Sequence, residues 1–197
     1  MKNGNLGGKK METCVAIKTR RSIRQYRGEK ILKEIINELL QTAIWAPSGM
    51  NKQPWGFVVI EDEEYLQKLS SQTKSILLER FKNNPEMEKY MDYFADPKTS
   101  IFYHAPVLVL IYGKKDVFTV INDCSMVAQN LMLAAWEYGI GSCWIGFVYD
   151  VLNTKEVKSD LGVPDSYGLV ASVILGYPDG SVPISNRNNP IIFSWKK

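Results

Sequence analysis

The sequence predicts an α+β domain in which a mixed sheet is flanked by helices, and three observations carry that prediction. Two long stretches keep a helical period: Ile31/Leu32, Ile35/Ile36, Leu39/Leu40 and Ala43/Ile44 recur every four residues, and so do Val117, Val120/Ile121, Cys124, Val127/Ala128, Leu131/Met132 and Ala135. Between them PVLVLIY is an uninterrupted apolar run bounded by Pro106 and Gly113, the composition of a strand covered on both faces. The order of the segments has no βαβ regularity and no internal repeat, which favours α+β over a doubly wound fold.

Taken in order, residues 1–10 are rich in Gly, Asn and Lys without period and read as a loose leader, with Met11 as an alternative start. A single domain then spans 11–176. It opens with a short helix over 12–19, followed by the periodic helix over 31–45. A polar joint leads into WGFVVI, a strand, after which Asp62 is placed to cap a helix running to about Phe81. Residues 82–104 are polar, aromatic and irregular and are expected to form a lid. After PVLVLIY comes the second long helix, with Gly139 where a C-terminal cap belongs. A short strand near SCWIG, a helix over about 151–161 and the strand LVASVIL complete the domain. The arm 177–197 carries three prolines and no period, yet ends on Ile191, Ile192, Phe193 and Trp195. Those side chains need a surface to bury against, on the chain's own body or on a partner subunit.

Composition excludes several functions. With 197 residues, 45% hydrophobic and 23% charged, the chain has the makings of one globular core. Its longest apolar run, APVLVLIY, is far short of the roughly 20 residues that span a bilayer, and the N-terminus has no apolar signal region. The expectation is a soluble, cytoplasmic protein with no membrane partner. Cys14, Cys124 and Cys143 are far apart and form no CxxC, so neither a disulfide framework nor a metal site is written in the sequence. A net charge of +3 without a binding motif gives no ground for a nucleic-acid partner.

Two segments carry chemistry. Arg20, Arg21, Ser22 and Arg24 place three guanidinium groups and a hydroxyl within one turn-sized stretch, a donor set suited to phosphate or to a carbonyl-rich ring edge. Read alone, it also fits a solvated basic face. In PSGMNKQPW, Ser48 and Gly49 let backbone approach a ligand, while Asn51 and Gln53 offer donors and acceptors at a joint stiffened by Pro47 and Pro54. Read alone, this also fits a hydrogen-bonded turn.

Together, RRSIR, APSGMNKQPWGF, GSCWIGF and GYP followed by a late arginine resemble the nitroreductase family of FMN-dependent oxidoreductases, in order over residues 12–190. The resemblance implies a mixed, mainly antiparallel sheet and an intertwined homodimer with two FMN molecules at the subunit interface. It implies that Arg20 holds the phosphate, that Arg21 and Ser22 belong to the same flavin segment, and that Arg24 faces the N1/O2 edge of the ring. Pro47, Ser48, Gly49, Asn51 and Gln53 match the segment that reaches the partner subunit's flavin. Trp144, Ile145 and Gly146 match the strand end beside N5 and O4, and Arg187 matches a C-terminal phosphate contact. At Ser185 the chain departs from the basic residue that many members carry there.

The implied activity is electron transfer from NADH or NADPH, through FMN, to a small electrophilic acceptor such as a nitroaromatic or quinone, by a ping-pong mechanism. No side chain is needed as a catalyst, and His104 reads as a structural loop residue. Alternatives within the resemblance are a reductive dehalogenase or flavin-degrading variant, and a flavin sensor or store without turnover. Glu86 and Tyr90 are spaced like a deiodinase pair, but no lysine follows at the spacing those enzymes use.

Overall fold

The apolar run from Val107 to Tyr112 is buried on both sides of the sheet and therefore forces two layers of cover. The computed structural model describes residues 11–180, 183 and 186–197. The expected leader, 1–10, lies outside them. Among the described residues the chain runs α1 (Thr13–Thr19), α2 (Lys33–Ala43), β1 (Trp55–Ile60), α3 (Glu63–Phe81), α4 (Glu88–Ala95), β2 (Val107–Lys114), α5 (Val120–Glu137), β3 (Gly141–Trp144), α6 (Tyr149–Leu152), α7 (Lys155–Asp160) and β4 (Tyr167–Gly176).

The four strands form one sheet in the order β1-β2-β4-β3, with every named pair antiparallel. A lone parallel bridge, Ser22 to Ser142, supplies the mixed character. Because successive strand residues point to opposite faces, Val107, Val109 and Ile111 join a core with Ile36 and Leu39 of α2 and Val127 and Leu131 of α5. Leu108, Leu110 and Tyr112 join a second core with Leu66, Leu69 and Leu77 of α3 and Phe94 of α4. The Tyr112 hydroxyl donates to Leu152 O at 2.7 Å, so its one polar atom is satisfied inside that core.

Punctuation in the sequence sets the element ends. The Asp62 carboxylate accepts from Tyr65 N at 2.9 Å and caps α3, which ends at Phe81. Helix α5 closes through Gly139 at φ 70°, with Gly139 N donating to Trp136 O and Ile140 N to Ala135 O.

Three expectations need correction. The helix expected over 151–161 is two short helices, because Thr154 caps α7 by accepting from Val157 N and Asn153 accepts from Leu169 N at 2.8 Å. The segment 82–104 is not irregular throughout: α4 lies within it and buries Phe94. Leu32, assigned to the buried face of the second helix, is exposed because α2 begins one residue later, while Ile31 before it is buried. The tail is also informative. Ile191, Ile192, Phe193 and Trp195 are 61–96% exposed, so the chain's own body does not cover them.

Segment 96–103 is fastened to α3 from below. Lys74 is buried, and its ammonium donates to Asp96 O at 2.7 Å, Thr99 O at 2.8 Å and Thr99 Oγ1 at 3.5 Å. Lys74→Met keeps the side-chain length and removes these donors, which should lower stability by about 1–3 kcal/mol. Hydrogen exchange should accelerate at 96–103 while the sheet stays protected. Unchanged exchange in that segment would show that the lysine fastens nothing.

Candidate functional site

Beyond α1 the chain straightens and runs along the sheet edge. Ile23 N donates to Ser142 O at 3.0 Å, Arg27 N to Tyr177 O and Asp179 N to Gln25 O at 3.0 Å. Buried Ile23 anchors the middle, and Trp136 Nε1 donates to Thr19 Oγ1 at 2.9 Å, tying the end of α1 to the last turn of α5. The arginines therefore leave a segment that is held along its length.

The structure gives them different tasks. Arg21 is buried and folds back, donating from Nη1 to Lys18 O and Arg20 O at 2.8 and 2.7 Å, where a cation satisfies carbonyls at the end of α1. Arg20 is partly buried, and its Nη1 lies shielded from solvent without a hydrogen-bond partner. Burial pulls its guanidinium below the usual value; Cys143 opposes the shift, and nearby Arg21 and Arg187 add to it. Arg24 is exposed, with its guanidinium carbon 5.8 Å from the centre of the Tyr103 ring.

Cys143 marks the point of convergence. Burial pushes its thiol up, while Arg24, Ser22 and Arg20 pull it back. Next to it Trp144 is partly exposed, Ile145 is buried with its N–H donating to Ser172 O at 2.9 Å, and Gly146 faces open space. Arg20, Ser22, Arg24, Arg187 and the 144–146 strand end are thus brought together. Ser185 lies outside the described residues. Beside this edge α4 and segment 96–103 contribute to an aromatic set: Tyr90 and Phe94 pack on Phe147, and Tyr93 lies 6.1 Å from Tyr103. Glu86 sits in the turn before α4, so it does not share a helical face with Tyr90.

The joint lies elsewhere. Gly49–Asn51 form a 3-10 turn, and Met50, Asn51 and Gln53 have φ of 49°, 54° and 47°. Left-handed backbone at a non-glycine residue costs on the order of 1–3 kcal/mol, so something must hold it. Ser48 Oγ accepts from Gln53 N at 3.0 Å, Gln53 Nε2 donates to Asn51 Oδ1 at 3.0 Å, and Gly49 N donates to Asp123 Oδ1 at 3.1 Å. Pro47, Asn51 and Gln53 are exposed. Asp123 is in the first turn of α5 and Trp136 in its last. Thirteen residues at 1.5 Å each put about 20 Å between the anchors of the joint and of the arginine segment.

Sequence reasoning missed Asp123, Thr119 and Tyr103. For Asp123 a signal existed, since it is an acidic residue at the helical spacing of Val120 and Val127 on an otherwise apolar stripe. His104 is exposed and lies 3.2 Å from Lys98 O. Among the described residues no cluster of His, Cys, Asp or Glu could hold a metal, and no helix is long and apolar enough to cross a membrane.

A four-stranded antiparallel sheet, packed on a long helix and edged by an arginine segment, defines an α+β domain with a cationic sheet edge. The chain belongs to the nitroreductase family, whose profile matches residues 17–177. A nitroreductase with bound FMN from Bacteroides fragilis has the same fold, with a TM-score of 0.77 and 27% identity over 91% of this chain and 95% of that one. A protein of Archaeoglobus fulgidus provisionally named NADH dehydrogenase/NAD(P)H nitroreductase is 36% identical over 170 residues, 85% of this chain and 87% of its own length. An iodotyrosine deiodinase of Thermotoga neapolitana is 27% identical over 179 residues, covering 89% and 93% of the two chains.

Burial makes a prediction for the thiols. Cys143 is pushed up and Cys124 is pushed up to about 12, so both stay protonated at neutral pH. Iodoacetamide at pH 7.5 should leave both unmodified in the native protein and label them after unfolding, as read by peptide mass spectrometry. Native labelling of Cys143 would place a thiolate among the arginines.

Proposed function

We propose that the chain is an FMN-dependent oxidoreductase that passes electrons from NADH or NADPH to small electrophilic acceptors. It acts as a homodimer whose two sites each combine the arginine segment of one subunit with the joint of the other. The observation that carries this reading is the buried, unpartnered Nη1 of Arg20, with Arg187 nearby, at an edge where Arg21 Nε and Ser142 Oγ are also buried without partners. A buried donor left without a partner is unfavourable unless a ligand completes it. A terminal phosphate supplies the acceptor and the charge, so these residues fit FMN.

Bound FMN supplies the redox centre, and no nucleophilic side chain is required. The chain's residues bind and orient it. Arg20 and Arg187 hold the phosphate, Ser22 adds a short donor, and Arg21 keeps the end of α1 closed beneath them. Arg24 would face the N1/O2 edge, where a fixed cation would stabilise negative charge on the reduced ring. Gly146 leaves room for the ring beside its backbone. Asn51 and Gln53 spend one amide atom each on one another and keep the rest for the partner's flavin. The separation of about 20 Å along α5 keeps the joint from the arginines of its own chain, and a two-fold pairing removes that obstacle. The exposed Val15, Ile17, Phe118, Ile121 and the apolar tail provide the surface for such pairing, each large side chain gaining roughly 1.5–3 kcal/mol when fully buried. Reductive dehalogenation gains no support from the lid, because Glu86 and Tyr90 are not on one helical face.

The purified protein should be a yellow dimer that releases FMN on denaturation and bleaches rapidly with NADH or NADPH under anaerobic conditions. A stable flavin-loaded monomer, or release of FAD alone, would refute the assembly or the cofactor. An acceptor screen with product analysis then separates nitro or quinone reduction from dehalogenation and from a store without turnover.

Subunit complementation tests the shared site. Arg20→Ala and Asn51→Ala should each weaken FMN binding, Arg20→Ala by about one to two decades. Co-expressed with two tags and purified as the mixed dimer, they should recover one site of normal affinity, because one of the two sites then contains neither substitution. No recovery means that both residues serve a flavin on their own chain.

Arg24→Ala should lower the flavin midpoint potential while Arg20→Ala leaves it nearly unchanged, measured by spectroelectrochemistry at saturating FMN. A tenfold preference for the reduced ring corresponds to about 30 mV. The opposite pattern would exchange the two roles.

A further inference from the structure

The joint is strained and exposed, and its exposed hydrogen bonds compete with water. Among the described residues, the side chain that ties it to the rest of the fold by a hydrogen bond is Asp123. That side chain is 1% exposed on the stripe of α5 that otherwise consists of Val120, Cys124 and Val127. Its two oxygens are both engaged: Oδ1 accepts from Gly49 N at 3.1 Å, and Oδ2 accepts from Thr119 Oγ1 at 2.7 Å. Among the described residues no cation pairs with it, so the first turn of α5 and these two donors carry its charge. A carboxylate buried in this way is unfavourable for stability alone, since an apolar residue would pack there more cheaply.

What it holds explains its presence. A Cβ on Gly49 would lie 2.5 Å from Thr119 Oγ1 and 2.9 Å from Thr119 Cγ2, so glycine lets the backbone rest directly on the threonine that Asp123 fixes. From that seat the chain enters the left-handed run of Met50, Asn51 and Gln53. We infer that Asp123, seated by Thr119 and acting through Gly49, is the positioning residue that sets how Asn51 and Gln53 are presented to the partner subunit's flavin. This rests on the reading that the joint faces that flavin. Asp123 touches neither the flavin nor the acceptor; it fixes the backbone that does.

The test uses the full-length dimer and reads FMN affinity by fluorescence quenching together with the visible circular dichroism of bound FMN. Asp123→Ala should weaken FMN at least tenfold, equivalent to about 1.4 kcal/mol, and alter the flavin dichroism while the apo dimer persists by light scattering. Asp123→Asn keeps an oxygen for Gly49 N and should restore most of the affinity, a rescue that loss of packing would not give. Gly49→Ala should weaken FMN by displacing the joint from Thr119, and adding Thr119→Ala should recover part of that loss. If Asp123→Ala fails to fold, this glycine and threonine pair decides. Mixed dimers of Asp123→Ala with Arg20→Ala should regain one normal site, and failure to do so would show general damage and overturn the inference. If Asn51→Ala/Gln53→Ala weakens FMN but Asp123→Ala and Gly49→Ala bind it like the parent, Asp123 is not the positioning residue. If Asn51→Ala/Gln53→Ala has no effect, the joint does not face flavin and both readings fall.

Discussion

The packing of α5 along the sheet is the constraint on which the rest depends. Cys124, Val127, Ala128, Leu131 and Ala135 bury one side of this helix against β2 and β4, and Ala128, Ala134 and Ala135 keep that side shallow enough for close approach. Once the helix is fixed, everything attached to its ends is fixed in space as well. Its first turn receives the joint through Asp123, and its last turn receives the arginine segment through Trp136 and Thr19. The distance between the polar segments is thus a property of the core, and the proposed two-chain site rests on packing inside one chain.

The arginine segment shows how neighbours in sequence part in structure. Arg20, Arg21 and Arg24 lie within five positions, yet one ends in a shielded, unpartnered donor, one closes a helix and one lies against an aromatic ring. Extended backbone sends adjacent side chains to opposite sides, and the bridge of Ser22 to Ser142 fixes which side faces the sheet edge. A run of like charges is tolerable here because the backbone pulls the charges apart and carbonyls absorb one of them.

Much of the fold was legible because the chain is punctuated. Trp55–Ile60, Asp62 and Gly139 fall where hydrophobic pattern, capping and left-handed glycine place them, since each is decided by local chemistry. The break at Asn153 and Thr154 was not legible. It depends on a bond from Asn153 to β4, sixteen residues away, which no local pattern encodes. Helix α4 was hidden because it is short and its aromatic residues face a cluster assembled from three segments. At the candidate site the residue types were readable, while the tasks of Arg21 and Asp123 depend on partners distant in sequence or on a fold-back that sequence does not reveal.

The fastening of segment 96–103 by Lys74 has a consequence for how such a protein can diverge. The lysine grips main-chain carbonyls of Asp96 and Thr99, along with one hydroxyl. Carbonyl oxygens are the same whatever side chain they carry, so most positions of α4 and its flanks can be replaced without loosening the grip. Descent with modification can therefore rewrite α4 and its flanks while inheriting the mount that carries them.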